Sequence, residues 1–269
     1  MRHLLLLIVS VLLAAPAGRA DTITVCPTCP VRSVKAAVEE ACDGDVILIQ
    51  PGTYYERGIV VDKPLTLRGE GFPILDGQGE GEVLTVIADG VSIEGLHIRN
   101  TGFSYVQDRA GIRLKRAHDF NISGNRLEDT FFGIYLEYSR RGTIRDNEVI
   151  AQPRDEASSG NAIHLWYCKS LLVEDNYLRG HRDGIYLEFT DSSRIYRNLS
   201  EHNLRYGLHF MFSNDDDYFQ NTFRRNGAGV AVMFSRRINM WENTFEYNWG
   251  QASYGLLLKE IYDAEIEHN

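Results

Sequence analysis

Apolar and polar positions recur along this chain in units of 22 to 29 residues, not with the period of an amphipathic helix. Seven short segments, GIRL, GIYLE, AIHLW, GIYLE, GLHFM, GVAVM and GLLLK, begin at Gly111, Gly133, Ala162, Gly184, Gly207, Gly229 and Gly255. Fourteen residues after each start stands an asparagine: Asn125, Asn147, Asn176, Asn198, Asn221, Asn243 and Asn269. Three residues before the asparagine come Ile122, Ile144, Val173, Ile195, Tyr218, Met240 and Ile266, and two after it Leu127, Val149, Leu178, Ser200, Phe223 and Phe245. All length variation falls between an asparagine and the next start, with the longest insert around QPRDEASSG.

Each unit therefore holds about three short strands joined by tight turns, too few residues for a βαβ crossover. The pattern predicts an all-β fold, a right-handed single-stranded parallel β-helix, a solenoid in which each coil pairs with the next. Ile112, Ile134, Ile163, Ile185, Leu208, Val230 and Leu256 form one interior column, and in GLHFMF the residues Leu208, Phe210 and Phe212 are expected to fill the core. The asparagines read as a hydrogen-bonded ladder. The glycines read as turn residues in a conformation that side chains would strain. VILIQPGTY, IVVDKPLTLRGEG and VLTVIADGVSIEGLHIRNTG continue the solenoid toward the N-terminus with a looser repeat. Before them, Val31, Val34, Val38 and Cys42 recur at helical spacing, which predicts a short N-terminal capping helix over the open end of the coil. The chain stops at Asn269 in mid-coil, so further chain or a partner is expected to cover that end.

Composition adds the compartment. MRHLLLLIVSVLLAAPAGRA has a basic start, an apolar run and small residues before Asp21, and reads as a secretory leader over 1–20. Residues 21–45 then form the N-terminal segment with its helix, and 46–269 the β-helix. The formal charge is −9, and loss of the leader with Arg2 and Arg19 makes it two units more negative. An acidic exported chain is a poor partner for nucleic acid or anionic lipid head groups. Cys26 or Cys29 is expected to pair with Cys42 and staple the N-terminus, while Cys168 sits at a small core position.

Within each strand the second and fourth positions after the start point outward. His164 and His209 belong to the second-position column, and Trp166, Met211 and Met233 to the fourth. His209 and Met211 lie about 6.5–7 Å apart along one strand, with Met233 about 4.8 Å away on the next. Thioether and imidazole together suit Cu(I), which makes His209, Met211 and Met233 copper candidates. His164, two coils below, would join through a second site or a partner. Trp166, with His181, Arg182 and Asp183 of GHRDG at a turn rim, reads as a candidate docking surface.

GHRDGIYLEF and RYGLHFMFSNDD, within the stretch from Asn161 to Ser235, closely resemble the NosD family of periplasmic copper-binding maturation proteins of nitrous oxide reductase. The likeness runs from about Asp21 to the end of the chain. The resemblance implies a non-catalytic periplasmic role with copper. It also implies a NosY-like membrane subunit and a NosF-like ATPase of an ABC transporter as partners. Nitrous oxide reductase and a copper chaperone are implied as further contacts. The rival from another class is an exported polysaccharide lyase, hydrolase or epimerase, for which the carboxylates of NDDD, Glu137 and Glu188 would be the acid–base candidates. There NDDD (Asn214–Asp217) also reads as a solvated turn. A third reading is a scaffold or adhesin that never touches metal.

Overall fold

The computed structural model describes residues 20–269 except 105, 153–154 and 251–253, so the expected leader lies, apart from Ala20, outside the described residues. Every strand pairing is parallel, in three long sheets of eleven, nine and nine strands, and each of about ten coils gives one strand to each sheet. The column expected inside is continuous in register: Ile112, Ile134, Ile163, Ile185, Leu208 and Val230 pair strand to strand and are fully buried. One apolar core runs the length of the coil axis. A short helix, Val34–Glu40, covers its N-terminal end through Val34, Ala37 and Val38. Ser33 caps it by accepting from the Ala36 amide, and Glu56 accepts from the amides of Val34 and Lys35. Lys63 holds the other end by donating to the carbonyls of Val38, Glu39 and Ala41. Among the described residues no helix is long and apolar enough to cross a membrane.

The asparagine ladder forms as the spacing predicts. Each Nδ2 donates to the next Oδ1 at 2.8–3.0 Å, from Asn125 through Asn147, Asn176, Asn198, Asn221 and Asn243 to Asn269. Each Oδ1 also accepts the amide of the preceding asparagine, as Asn198 does from Asn176 at 3.0 Å. Groups that a coil corner would leave unpaired inside the protein are thereby satisfied.

Four expectations are corrected. The recurring glycines have ordinary φ, four of the six (Gly111, Gly133, Gly207 and Gly229) lie within strands, and what fixes them is space. A Cβ on Gly207 would lie 2.7 Å from the Phe223 ring and 2.8 Å from the Gly229 carbonyl oxygen. Side-chain-bearing residues take the left-handed corners instead, Tyr138, Tyr167, Phe189, Phe212 and Phe234 all having φ between 51° and 53°. That rotation breaks the strand alternation, so Phe212 turns outward and is 39% exposed. Cys26 pairs with Cys29, not with Cys42, which is exposed and free. The chain folds back at once after Cys26, whose amide bonds the Val31 carbonyl. Finally, Asp216 of NDDD is sealed inside the coil with 0% exposure, while Asp215 beside it is exposed and paired with Arg237.

Candidate functional site

The outward face of the nine-stranded sheet from Ile59–Val61 to Leu256–Lys259 carries the predicted residues. Its second-position column is a continuous stack. The Arg113 guanidinium lies 4.5 Å over Tyr135, and rings then follow at 4.5, 4.8 and 4.7 Å through His164 and Tyr186 to His209. Strand pairing fixes this order, because Tyr135, His164, Tyr186 and His209 are direct partners. Alternation says only that these side chains leave the core. It does not say that Phe132 and Tyr206 then pack over His164 and His209 at 5.3 and 4.7 Å. His209 is consequently 4% exposed.

Burial sets the electrostatics. It pushes the His164 imidazole down to about 3, so that this ring is neutral at physiological pH. It pushes the Tyr186 hydroxyl up to about 12, and raises the Glu188 carboxyl. Asn161 Nδ2 donates to His164 Nδ1 at 3.2 Å, which occupies that ring's lone pair. His209 differs. Both its nitrogens are buried and neither has a hydrogen-bond partner among the described residues. The nearest charge is the buried Asp183 carboxylate, 3.9 Å from Nδ1, with the Arg205 and Arg182 Nε atoms 3.8 and 3.9 Å from the same group. These contacts are longer than hydrogen bonds.

Met211 and Met233 are half-buried direct partners at the edge of the same face, two positions past the strand pair His209 and Ala231. Their donor chemistry fits a soft cation: two polarisable thioethers in adjacent coils, two residues from an imidazole whose nitrogens are uncommitted. It does not fit a hard ion. Among the described residues no cluster of three or more His, Cys, Asp or Glu side chains could hold a metal. His164 stands two coils away, between Tyr135 and Tyr186, and is not brought to the thioethers.

GHRDG is divided between two faces instead of forming an exposed rim. His181 is buried and is pushed down to about 4 by that burial. It lines a cleft of about 720 Å³ with Thr101, Phe103, Thr130 and Phe131, under the longest insert. Arg182 and Asp183 belong to the His209 side. Trp166 is half-buried, 5.1 and 5.2 Å from the rings of Tyr138 and Tyr167.

One feature of this face went unread in the sequence. Tyr138, Tyr167, Phe189, Phe212 and Phe234 stack ring on ring at 4.5–5.2 Å, with planes within 15° of parallel. The signal was present, since each ring stands five residues after its Gly or Ala start. The alternation of Leu208, Phe210 and Phe212 masks it, because period two would put Phe212 in the core.

With this geometry in place, comparison with known proteins adds the relationship. The family model described as a right-handed β-helix region matches residues 110–269. The chain belongs to that family. The model described as periplasmic copper-binding protein NosD matches residues 39–154. A protein of Pseudomonas aeruginosa named "Probable ABC transporter binding protein NosD" is 34% identical over 144 residues, which are 53% of this chain and 34% of the relative. Its namesake in Stutzerimonas stutzeri is 30% identical over 144 residues, 53% of this chain and 33% of the relative. The resemblance to NosD therefore holds in both comparisons, over about half of this chain and about a third of those relatives, and the NosD model ends at residue 154, before GHRDGIYLEF and RYGLHFMFSNDD. Among solved structures, a Yersinia enterocolitica family 28 exopolygalacturonase superposes with a TM-score of 0.70 at 10% identity, covering 93% of this chain and 66% of that one. An alginate lyase from Paenibacillus gives 0.62 at 13% identity, covering 92% and 99%. At such identities these two show the fold alone.

Proposed function

We propose that this chain is the β-helical part of a periplasmic NosD-like accessory protein that handles Cu(I) as cargo for the copper centres of nitrous oxide reductase. In this reading it works with an ABC transporter that has a NosY-like membrane subunit and a NosF-like ATPase. The observation that carries the copper assignment is the pairing of Met211 with Met233 beside His209, whose ring nitrogens are buried and uncommitted. Held between thioethers and one imidazole, Cu(I) would stay in its reduced state and remain easy to pass on, because soft ligands with few charges bind it without caging it. His164 is outside this set by geometry.

A binding role is favoured over the polysaccharide-enzyme alternative by two observations. The named relatives are called binding proteins. Of the carboxylates that could do acid–base work, Asp216 is sealed in the coil and Glu137 is tied to Arg113.

The test is a Cu(I) competition titration against a chromophoric chelator under anaerobic conditions. Replacing Met211 and Met233 together by Leu keeps bulk and removes the sulfurs. The double variant is expected to lose about tenfold or more in Cu(I) affinity, the scale on which well-placed groups at metal sites act. Equal affinity in parent and variant would remove these residues as ligands. A parent that fails to bind Cu(I) would overturn the copper reading itself.

A further inference from the structure

The corner that carries the five-ring stack also gathers exposed cations. The Arg116 guanidinium lies 5.5 Å over Tyr138 and the Lys259 ammonium 5.1 Å over Phe234, closing the stack at its two ends. Two residues past the ring column, a line of isolated bridges runs from coil to coil through Arg140, Lys169, Asp191, Asn214 and Arg236, so that three exposed cations share the line with one half-buried carboxylate. One residue further on, Arg141 and Arg237 are paired with Asp119 and Asp215. The five cations on the strip make no ion pair with any described residue. Along this line three cations stand against one carboxylate, in a chain of formal charge −9.

The stack itself limits what can bind. Each inner ring has both faces taken by its neighbours in the coils above and below, so neither a nucleobase nor a sugar ring can lie on it. Only ring edges remain, in a straight row about 19 Å long at one coil spacing per step. None protrudes as a membrane anchor does, since Tyr138, Tyr167 and Phe212 are 39–43% exposed. A flush apolar strip edged by cations is complementary to an apolar strip edged by carboxylates on a rigid surface.

We infer that this corner docks a folded protein whose contact surface is an apolar strip rimmed by acidic side chains. Resting on the reading above, that protein is the extracytoplasmic part of the transporter. Met211 and Met233 immediately precede Phe212 and Phe234, so a partner seated on the strip would meet the thioethers at its edge. Docking and cargo transfer would share one boundary.

The experiment measures binding of the full chain to the purified transporter in nanodiscs of neutral lipid, at low and high salt. Three variants are compared with the parent: Arg140→Glu/Lys169→Glu/Arg236→Glu, Tyr167→Ser/Phe212→Ser, and Arg225→Glu as an exposed control on another corner. The parent is expected to bind, more weakly at high salt. The triple reversal should bind about tenfold or more weakly through lost charge complementarity. The ring variant should weaken at both salt concentrations, and Arg225→Glu should match the parent. If the triple and ring variants, folded by circular dichroism, bind as the parent does, another face docks and the strip assignment is wrong while the transporter reading stands. If the parent itself does not bind the transporter, that reading falls and this occupant falls with it. Binding of the parent to phosphatidylglycerol vesicles alone, lost on charge reversal, would reassign the strip to lipid.

Discussion

Asp216 is the middle of three consecutive aspartates, and only it enters the coil. Its Oδ1 accepts from the Ser193 amide at 2.8 Å, while Oδ2 is buried with no partner among the described residues. Burial raises this carboxyl well above the ordinary range, and the neighbouring Asp191, Asp215 and Asp217 act in the same direction. A carboxyl raised in the folded state stabilises fully below its unfolded value, and the stability is lost as pH rises toward the folded value. Each unit of that interval costs about 1.4 kcal/mol. Asp216→Asn keeps the acceptor for Ser193 and removes the titration. Its melting temperature relative to the parent should therefore climb as pH is raised from about 4 toward neutrality. A difference that stays flat over that range would rule out Asp216 as the titrating group. The sequence could not show this, because three adjacent carboxyls read as a solvated turn. Which one points inward depends on a left-handed φ at Asp215.

The repeating coil is where the sequence was most legible. Fixed offsets to the asparagines and apolar columns report constraints that act in every coil, and the ladder and interior column form as read. Residues whose role depends on neighbours in space were less legible. His164 and His209 were placed on the correct face, yet what covers them comes from Phe132 in the neighbouring coil and from Tyr206 at the start of His209's own strand. Met211 and Met233 were legible as a pair because register alone brings them together. At this scale the ladder carries a measurable load. Asn176 donates to the Ile144 carbonyl and to Asn198, and accepts from the amide and the side chain of Asn147. Asn176→Ala would leave several of these buried groups unpaired at once, at about 1–3 kcal/mol each before relaxation. A total near 3–5 kcal/mol is expected, read as a large drop in the urea midpoint with little change in circular dichroism of the surviving fold. A loss under 1 kcal/mol would mean that the ladder is only a consequence of coil stacking.

For the whole molecule, parallel stacking means that each coil exchanges backbone hydrogen bonds only with the coils next to it. Stability is then close to a sum over neighbouring interfaces, and damage should stay local. The helix Val34–Glu40 offers the test, since Val38 is buried against the first coils and lies far along the axis from Met211 and Met233. Val38→Asp puts a carboxyl into that apolar end, where it finds no designed partner and costs several kcal/mol as a buried charge. Amide hydrogen exchange should lose protection at Ile47, Ile49 and Leu67, which hydrogen-bond within the first coils. Protection should persist at Leu208, Phe210, Val230 and Val232, where the strands Tyr206–Met211 and Ala228–Met233 pair. Because the thioethers belong to those same strands, Cu(I) affinity in this variant should equal that of the parent. Simultaneous loss of protection at both ends would show a single cooperative unit instead. The copper face could then not be treated as independent of the cap, and any substitution in the first coils would have to be scored for its effect on metal.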